Sequence, residues 1–416
     1  MPEPTITQDR AQIQRRTIAL LSLAQVFSGV GTGVVVSVGS LLAVDLSGSE
    51  ALAGSVTTVM TLGAAFASVA ISRVAFARGR RPALVSGLAA AALGTLVIVL
   101  AAMLGSFALL VLGGALMGFG NAVNLQARFA ATDLSEVHHR GRDLGLVVWM
   151  STVGAVAGPN LIGVGESVSG ALGIPALSGI FVIAAAGMLV AMAVLWVGLR
   201  PDPYLVATSG HTGSPAHAGF RAGLRSLLDR PQARAAFIAI LGAHAVMVGV
   251  MSMTPVHMSH HDASINLVGL TVSLHIAGMY ALSPIMGMLT DRLGGTPMAT
   301  AGLLASAVAA LLAGFSGGSF VVTMAGLILL GLGWSAATIA GASMIVSAIP
   351  TAERVSAQGT ADSMMSLAGA AGGALAGVAL AAVGFEGLGV AGAIIGLACL
   401  VAVLAAARTN SARLAA

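Results

Sequence analysis

Long apolar runs separated by short polar breaks recur along the whole chain. A helix needs ~20 apolar residues to cross the hydrocarbon of a bilayer. The pattern predicts twelve such spans, over 17–44, 51–72, 83–104, 106–131, 143–165, 176–198, 235–256, 267–289, 297–316, 319–346, 359–383 and 387–407. The first sixteen residues are polar, and the run after them is too long for the apolar core of a signal peptide. One long polar stretch interrupts the series at 199–234, with two prolines beside Arg200 and four further arginines. The expected architecture is an all-α polytopic membrane protein: an N-terminal six-helix bundle over 1–198, a cytoplasmic linker over 199–234 and a C-terminal six-helix bundle over 235–416.

The two halves repeat one another. Met150-Ser-Thr-Val-Gly154 returns as Met365-Ser-Leu-Ala-Gly369, an offset of 215, and Arg78-Gly79-Arg80 aligns with Leu293-Gly294-Gly295 at the same offset. Leu116-Met-Gly118-Phe-Gly120 aligns with Leu329-Leu-Gly331-Leu-Gly333 at 213. Glycines at small-x-x-x-small spacing, such as Gly369, Gly373 and Gly377, suit close helix packing in lipid.

Charge then orients the spans. All nineteen basic residues are arginines, gathered at the N-terminus, around the even-numbered breaks, in the linker and at the C-terminal end. The odd-numbered breaks hold Asp45, Glu50, Glu166, His257, His260, His261, Asp262 and Glu386. Positive charge on the inner side places both termini and the linker in the cytoplasm. The net charge of +4 is thereby a signal of orientation and not of nucleic-acid binding. Cys399 is the only cysteine, so an intramolecular disulfide and a thiolate copper site are both excluded.

Candidate chemistry concentrates in one stretch. Seven of nineteen methionines fall between Met247 and Met288, and five of nine histidines lie from His244 to His275. Met247 and Met251 are four apart, as are His275 and Met279, and residues four apart share a helix face. The two pairs lie at similar depth on the seventh and eighth spans. His244 shares the stripe of Met247 and Met251, and His257, Met258, His260 and His261 occupy the outer break between them. Thioether sulfur with imidazole nitrogen suits copper, Cu(I) above all. Met60 stands 215 residues before His275, so the repeat aims it as an added ligand from the first half. The acidic residues, Asp133 and Asp362 among them, are expected at or near span ends.

Two six-helix halves joined by a cytoplasmic linker resemble the major facilitator superfamily. Its loop signature stands in the second half as Gly287-x-Leu289-x-Asp291-Arg292-x-Gly294. The resemblance assigns Gly287, Asp291 and Arg292 to a gating loop. In the first half Ser72 and Phe76 replace the glycine and the acid. Within that superfamily, Met-x-x-x-Met followed by His-x-x-x-Met, with His275 24 positions after Met251, resembles the CcoA-type copper importers. That resemblance implies an inner-membrane copper uptake carrier serving cbb3-type cytochrome c oxidase assembly, with metal ligands at Met247, Met251, His275 and Met279. Copper would be its transported substrate, with no permanently bound cofactor. The bilayer, a periplasmic copper donor and a cytoplasmic copper chaperone would be its partners.

Two rivals remain. Gly154-Ala-Val-Ala-Gly158-Pro159 resembles the antiporter motif of drug exporters in the same superfamily, which supports a proton-coupled exporter of small organic compounds. A copper receptor that transports nothing would need only the metal motif, and the duplicated architecture argues against it. No nucleotide loop or hydrolase signature is present, so the chain is not expected to be an enzyme.

Overall fold

The computed structural model describes residues 4–49, 52, 54–209 and 219–415, and the regular secondary structure among them is entirely helical. Glu50 and the linker stretch 210–218 lie outside the described residues. Helices α1 (Pro4–Ser47), α2 (Ser55–Arg78), α3 (Arg80–Leu104) and α4 (Phe107–Ala130) carry the first four predicted spans. The fifth is divided between α5 (Arg140–Asn160) and α6 (Ile162–Leu172), and α7 (Gly179–Gly198) carries the sixth. The linker contributes α8 (Pro203–Thr208) and α9 (Phe220–Asp229). The seventh span is α10 (Pro231–His260), and the eighth is broken into α11 (Ile265–Tyr280) and α12 (Ser283–Leu293). Helices α13 (Gly295–Gly314) and α14 (Phe320–Ala348) follow, and α15 (Thr351–Ala415) takes up the last two spans. Within α15, Gly384 at φ 71° interrupts the helix where the final break was expected. Among the described residues nine helices are long and apolar enough to cross a membrane, α15 being counted once.

The chain divides into two compact units, and the division differs from the expected boundaries at 198 and 235. Unit 1 holds the residues up to Ser135, Met150–Phe220 and Gln358–Ser363; unit 2 holds Glu136–Trp149, Arg221–Ala357 and Met364 onward. The linker is therefore shared out between the units. Asp202 ties α8 into unit 1 by accepting from the Arg81 backbone N–H at 2.7 Å. Ser226 of α9 and Arg230 after it both bond Glu353 within unit 2.

Backbone geometry repeats along with sequence. Helix α2 ends on Gly79 at φ 94°, and α12 ends on Gly294, its counterpart, at φ 92°. Both positions need a residue without a Cβ to turn the chain directly into the next helix. In unit 1, a Cβ on Gly118 of α4 would lie 2.5 Å from the Met60 carbonyl oxygen of α2. In unit 2, a Cβ on Gly331 of α14 would lie 2.5 Å from the His275 carbonyl oxygen of α11. Met60 and His275 are thus true counterparts in the repeat, each with its carbonyl against the facing glycine.

Their side chains differ in role. Met60 is buried in the unit 1 core with Val56, Met117, Phe181 and Met188. Apolar side chains surround it within the unit, the usual setting of a gap-filling methionine.

Two acids expected at or near span ends are also enclosed within the protein. Within unit 1, Asp133 is 3% exposed and pairs with the fully buried Arg80 at 2.8 Å, while Arg80 also donates to Gln358 at 2.6 Å. Asp362, fully buried, pairs with Arg128 at 2.6 Å. Helix α15 starts at Thr351, well before Asp362, and Arg128 lies in the last turn of α4.

Replacing Gly118 by Ala should destabilise the protein by about 1–3 kcal/mol, the usual cost of overpacking. Gly170, whose Cβ would meet nothing within 4 Å, should accept alanine with a gain of up to ~1 kcal/mol from helix propensity. Thermal unfolding of both variants in detergent checks this. Equal stability of the two would show that the α2–α4 seam is not close-packed.

Candidate functional site

The metal-ligating candidates of the second half all lie in unit 2, on two helices that both pack against α14. His275 is fully buried, Met247 and Met279 are 3% and 7% exposed, and Met251 is half-buried. Gly331 brings α14 against the backbone of His275 and Met279, and Gly278 of α11 lies close to the Ile328 carbonyl. This seam sets the imidazole beside α14, where His275 Nδ1 meets the Leu327 carbonyl oxygen at 2.7 Å. A carbonyl only accepts, so Nδ1 carries the proton, and in the neutral ring Nε2 presents a lone pair. That Nε2 is buried and has no hydrogen-bond partner among the described residues. A buried polar atom without a partner is costly, and a soft metal ion would satisfy it.

Both helices are interrupted next to their sulfur residues. Pro255 lies one turn after Met251 inside α10 and has no N–H to give the Met251 carbonyl. Helix α11 ends at Tyr280, immediately after Met279, and α12 restarts at Ser283-Pro284. Broken membrane helices are where carriers commonly place their cargo.

His244 sits differently. Its Nδ1 accepts from the Trp334 indole N–H at 2.9 Å, so the neutral ring carries its proton on Nε2, the opposite tautomer to His275. The Trp334 ring in turn meets Tyr280 edge-on at 5.8 Å between centroids. His244 therefore joins an aromatic group with Trp334 and Tyr280, two residues that the search for metal ligands had no reason to single out. The repeat explains its position. In unit 1 a Cβ on Gly154 would lie 2.7 Å from the Gly29 Cα, backbone on backbone. Their counterparts in unit 2 are Gly369 and His244, where the imidazole fills the same seam. The remainder of the Gly154–Pro159 motif, from Ala155, has side-chain surroundings outside the described residues.

Of the external group expected to capture copper, the His257 and His261 rings lie together, 4.5 Å between centroids. His257 stacks on Phe385 at 4.1 Å, with its Nε2 3.4 Å from the Ser316 hydroxyl. His261 Nδ1 bonds the His257 carbonyl at 2.9 Å, His260 is exposed, and Met258 is buried at 1% exposure. Among the described residues no three His, Cys, Asp or Glu side chains are grouped to hold a metal. A metal at His275 would accordingly draw on sulfur.

The loop signature has a definite geometry within unit 2. Asp291 accepts from the backbone N–H groups of Gly141 at 2.7 Å and Arg142 at 2.9 Å, capping the start of α5. A Cβ on Gly287 would collide with the Gly141 carbonyl, so only glycine fits there, and Arg292 is exposed. In unit 1 Ser72, in place of Gly287, lies against Gly359.

The sequence matches the Major Facilitator Superfamily over residues 21–266 and 257–415. The chain belongs to the major facilitator superfamily. As a member it is a membrane transporter and not an enzyme. It is 36% identical over 393 residues to the uncharacterized MFS-type transporter YdeG of Bacillus subtilis, covering 94% of this chain and 91% of that one. It is 29% identical over 362 residues to the riboflavin transporter RfnT of Brucella anthropi, covering 85% and 86%. The human organic anion transporter MFSD10 has the same fold, with a TM-score of 0.72 at 16% identity over 94% of this chain and 99% of that one.

A His244→Phe variant of this superfamily member leaves the Trp334 N–H without its acceptor. It should lose about 1–3 kcal/mol of stability, the cost of an unpaired buried donor, and shift the tryptophan emission. Copper affinity should stay at the wild-type value. Titration of the variant with Cu(I) checks this, and a loss matching that of His275→Ala would make His244 a ligand.

Proposed function

We propose that this transporter takes up copper across a bacterial inner membrane by alternating access, with Met247, Met251, His275 and Met279 as the ligands along its path. One observation carries the reading: the His275 Nε2 lone pair, buried without a partner and fixed by the bond from Nδ1 to Leu327. Three methionines on the same helix and on α10 supply the soft donors that Cu(I) prefers. Thioethers bind weakly enough to release what they capture, as transport requires. The arginine distribution supports termini and linker in the cytoplasm. The spacing shared with CcoA-type importers supports delivery toward cytochrome c oxidase assembly, from a periplasmic donor to a cytoplasmic chaperone.

A second reading has its own observation. The aromatic group of His244, Trp334 and Tyr280 suits a flat organic molecule, and one relative is named as a riboflavin transporter.

Uptake of radioactive copper and of labelled riboflavin, in cells with and without the protein, separates the two. Copper accumulation should depend on the protein and fall at least ~10-fold when His275 or any of the three methionines becomes Ala, since even indirect partners of a metal are worth 10–100-fold. Normal copper uptake by a quadruple variant present in the membrane at wild-type level would end the copper reading. Riboflavin uptake that is lost in Trp334→Ala would install the second.

A further inference from the structure

His257 lies in the last turn of α10 and His261 is its C-terminal cap. Neither reading of the cargo uses them. Residues four apart share a helix face, and these two rings lie 4.5 Å apart between centroids.

Each ring is held in place and leaves one nitrogen available. His261 Nδ1–H donates to the His257 carbonyl oxygen at 2.9 Å, so in the neutral ring Nε2 carries the lone pair. A ring N–H given to a backbone carbonyl is the usual support behind a metal-binding imidazole. His257 stacks on Phe385 of α15, with 4.1 Å between ring centroids and 13° between planes. Its Nε2 lies 3.4 Å from the Ser316 hydroxyl oxygen, beyond the usual hydrogen-bond range and so weakly held.

The two Nε2 atoms face the same turn. Ser316 and Gly318 both belong to the connection between α13 and α14. A Cβ on Gly318 would lie 2.8 Å from His261 Cδ2 and 3.4 Å from its Nε2. Glycine at that position leaves the room the ring occupies. All of these residues belong to unit 2. At the offset of 215 that pairs His244 with Gly29, the counterparts of His257 and His261 are Leu42 and Leu46. The first unit ends its matching helix with apolar side chains, so the duplicated fold does not need imidazoles here.

We propose that His257 and His261 bind a divalent transition-metal ion of the zinc and copper(II) class, at a site separate from the one around His275. Two histidines four apart on one helix face are a recurrent half of a zinc site. Both donors are nitrogen, which favours a borderline divalent ion over Cu(I). The C-terminal end of a helix also favours positive charge. Two protein ligands are fewer than the four of a structural zinc site. Water fills the other positions, and the ion exchanges through the exposed His261. Held by both rings, it fastens the last turn of α10, beyond the break at Pro255. The inference is independent of the cargo.

Calorimetric titration of the purified full-length protein with Zn(II), with any histidine tag removed, tests this. Zinc affinity should fall at least ~10-fold in His257→Ala and in His261→Ala, since even indirect partners of a metal are worth 10–100-fold. His260→Ala, at an exposed neighbour outside the pair, should bind zinc as the wild type does. The quadruple alanine variant of Met247, Met251, His275 and Met279 should retain the zinc site. Zinc affinity unchanged in both His257→Ala and His261→Ala overturns the proposal. A loss in the quadruple variant as large as in His261→Ala overturns it too, by placing the ion at the inner ligands. Copper uptake enters none of these outcomes, so a failure of the copper reading leaves them intact. Should His257→Ala fail to fold once Phe385 loses its stacking partner, His261→Ala, at an exposed position, decides alone.

Discussion

Two helices surrounded by hydrocarbon gain nothing by hiding apolar side chains from each other, so each unit depends on backbone meeting backbone. The seams recur wherever a glycine removes the Cβ that would hold helices apart: Gly118 against α2, Gly331 against α11, Gly154 against Gly29. Dispersion and the packing of polar peptide groups replace the water-driven term of soluble proteins. In unit 2 one of these seams places the His275 ring. Gly331 lets α14 approach α11 closely enough for the Leu327 carbonyl to reach the His275 ring, and that bond fixes which nitrogen keeps its lone pair.

Much of the architecture was written in the apolar runs, because a bilayer leaves few alternatives to a helix of about 20 residues. The duplication was equally legible, and Gly79 and Gly294 confirm it in their nearly equal φ angles. Polar residues near the ends of spans were harder to read. Glu353, Arg354, Ser356 and Gln358 look like a connecting break, whereas α15 is already helical from Thr351 and carries Asp362 into the interior. Charge in sequence marks where a helix leaves the membrane only when the charges have no partner inside it. Arg128 and Asp362 are partners separated by 234 positions, and such distant pairing is beyond the reach of a local pattern.

The candidate site shows the same divide. Helical spacing groups Met247 with Met251 on α10 and His275 with Met279 on α11, since that grouping is local. It could not tell His275 from His244, which differ only in what α14 offers each of them: a carbonyl to one and an indole N–H to the other. Nor could it see that Met258 turns into the core while His257 lies flat on Phe385.

The counterpart of the Gly29–Gly154 contact joins unit 2 differently. In unit 1 backbone meets backbone at that crossing and leaves no side chain there, whereas in unit 2 an imidazole fills it, its Nδ1 held by the Trp334 indole N–H. Duplication followed by divergence has thus tied the helix that carries Met247 and Met251 to α14 by a polar bond where the first unit has only a close approach.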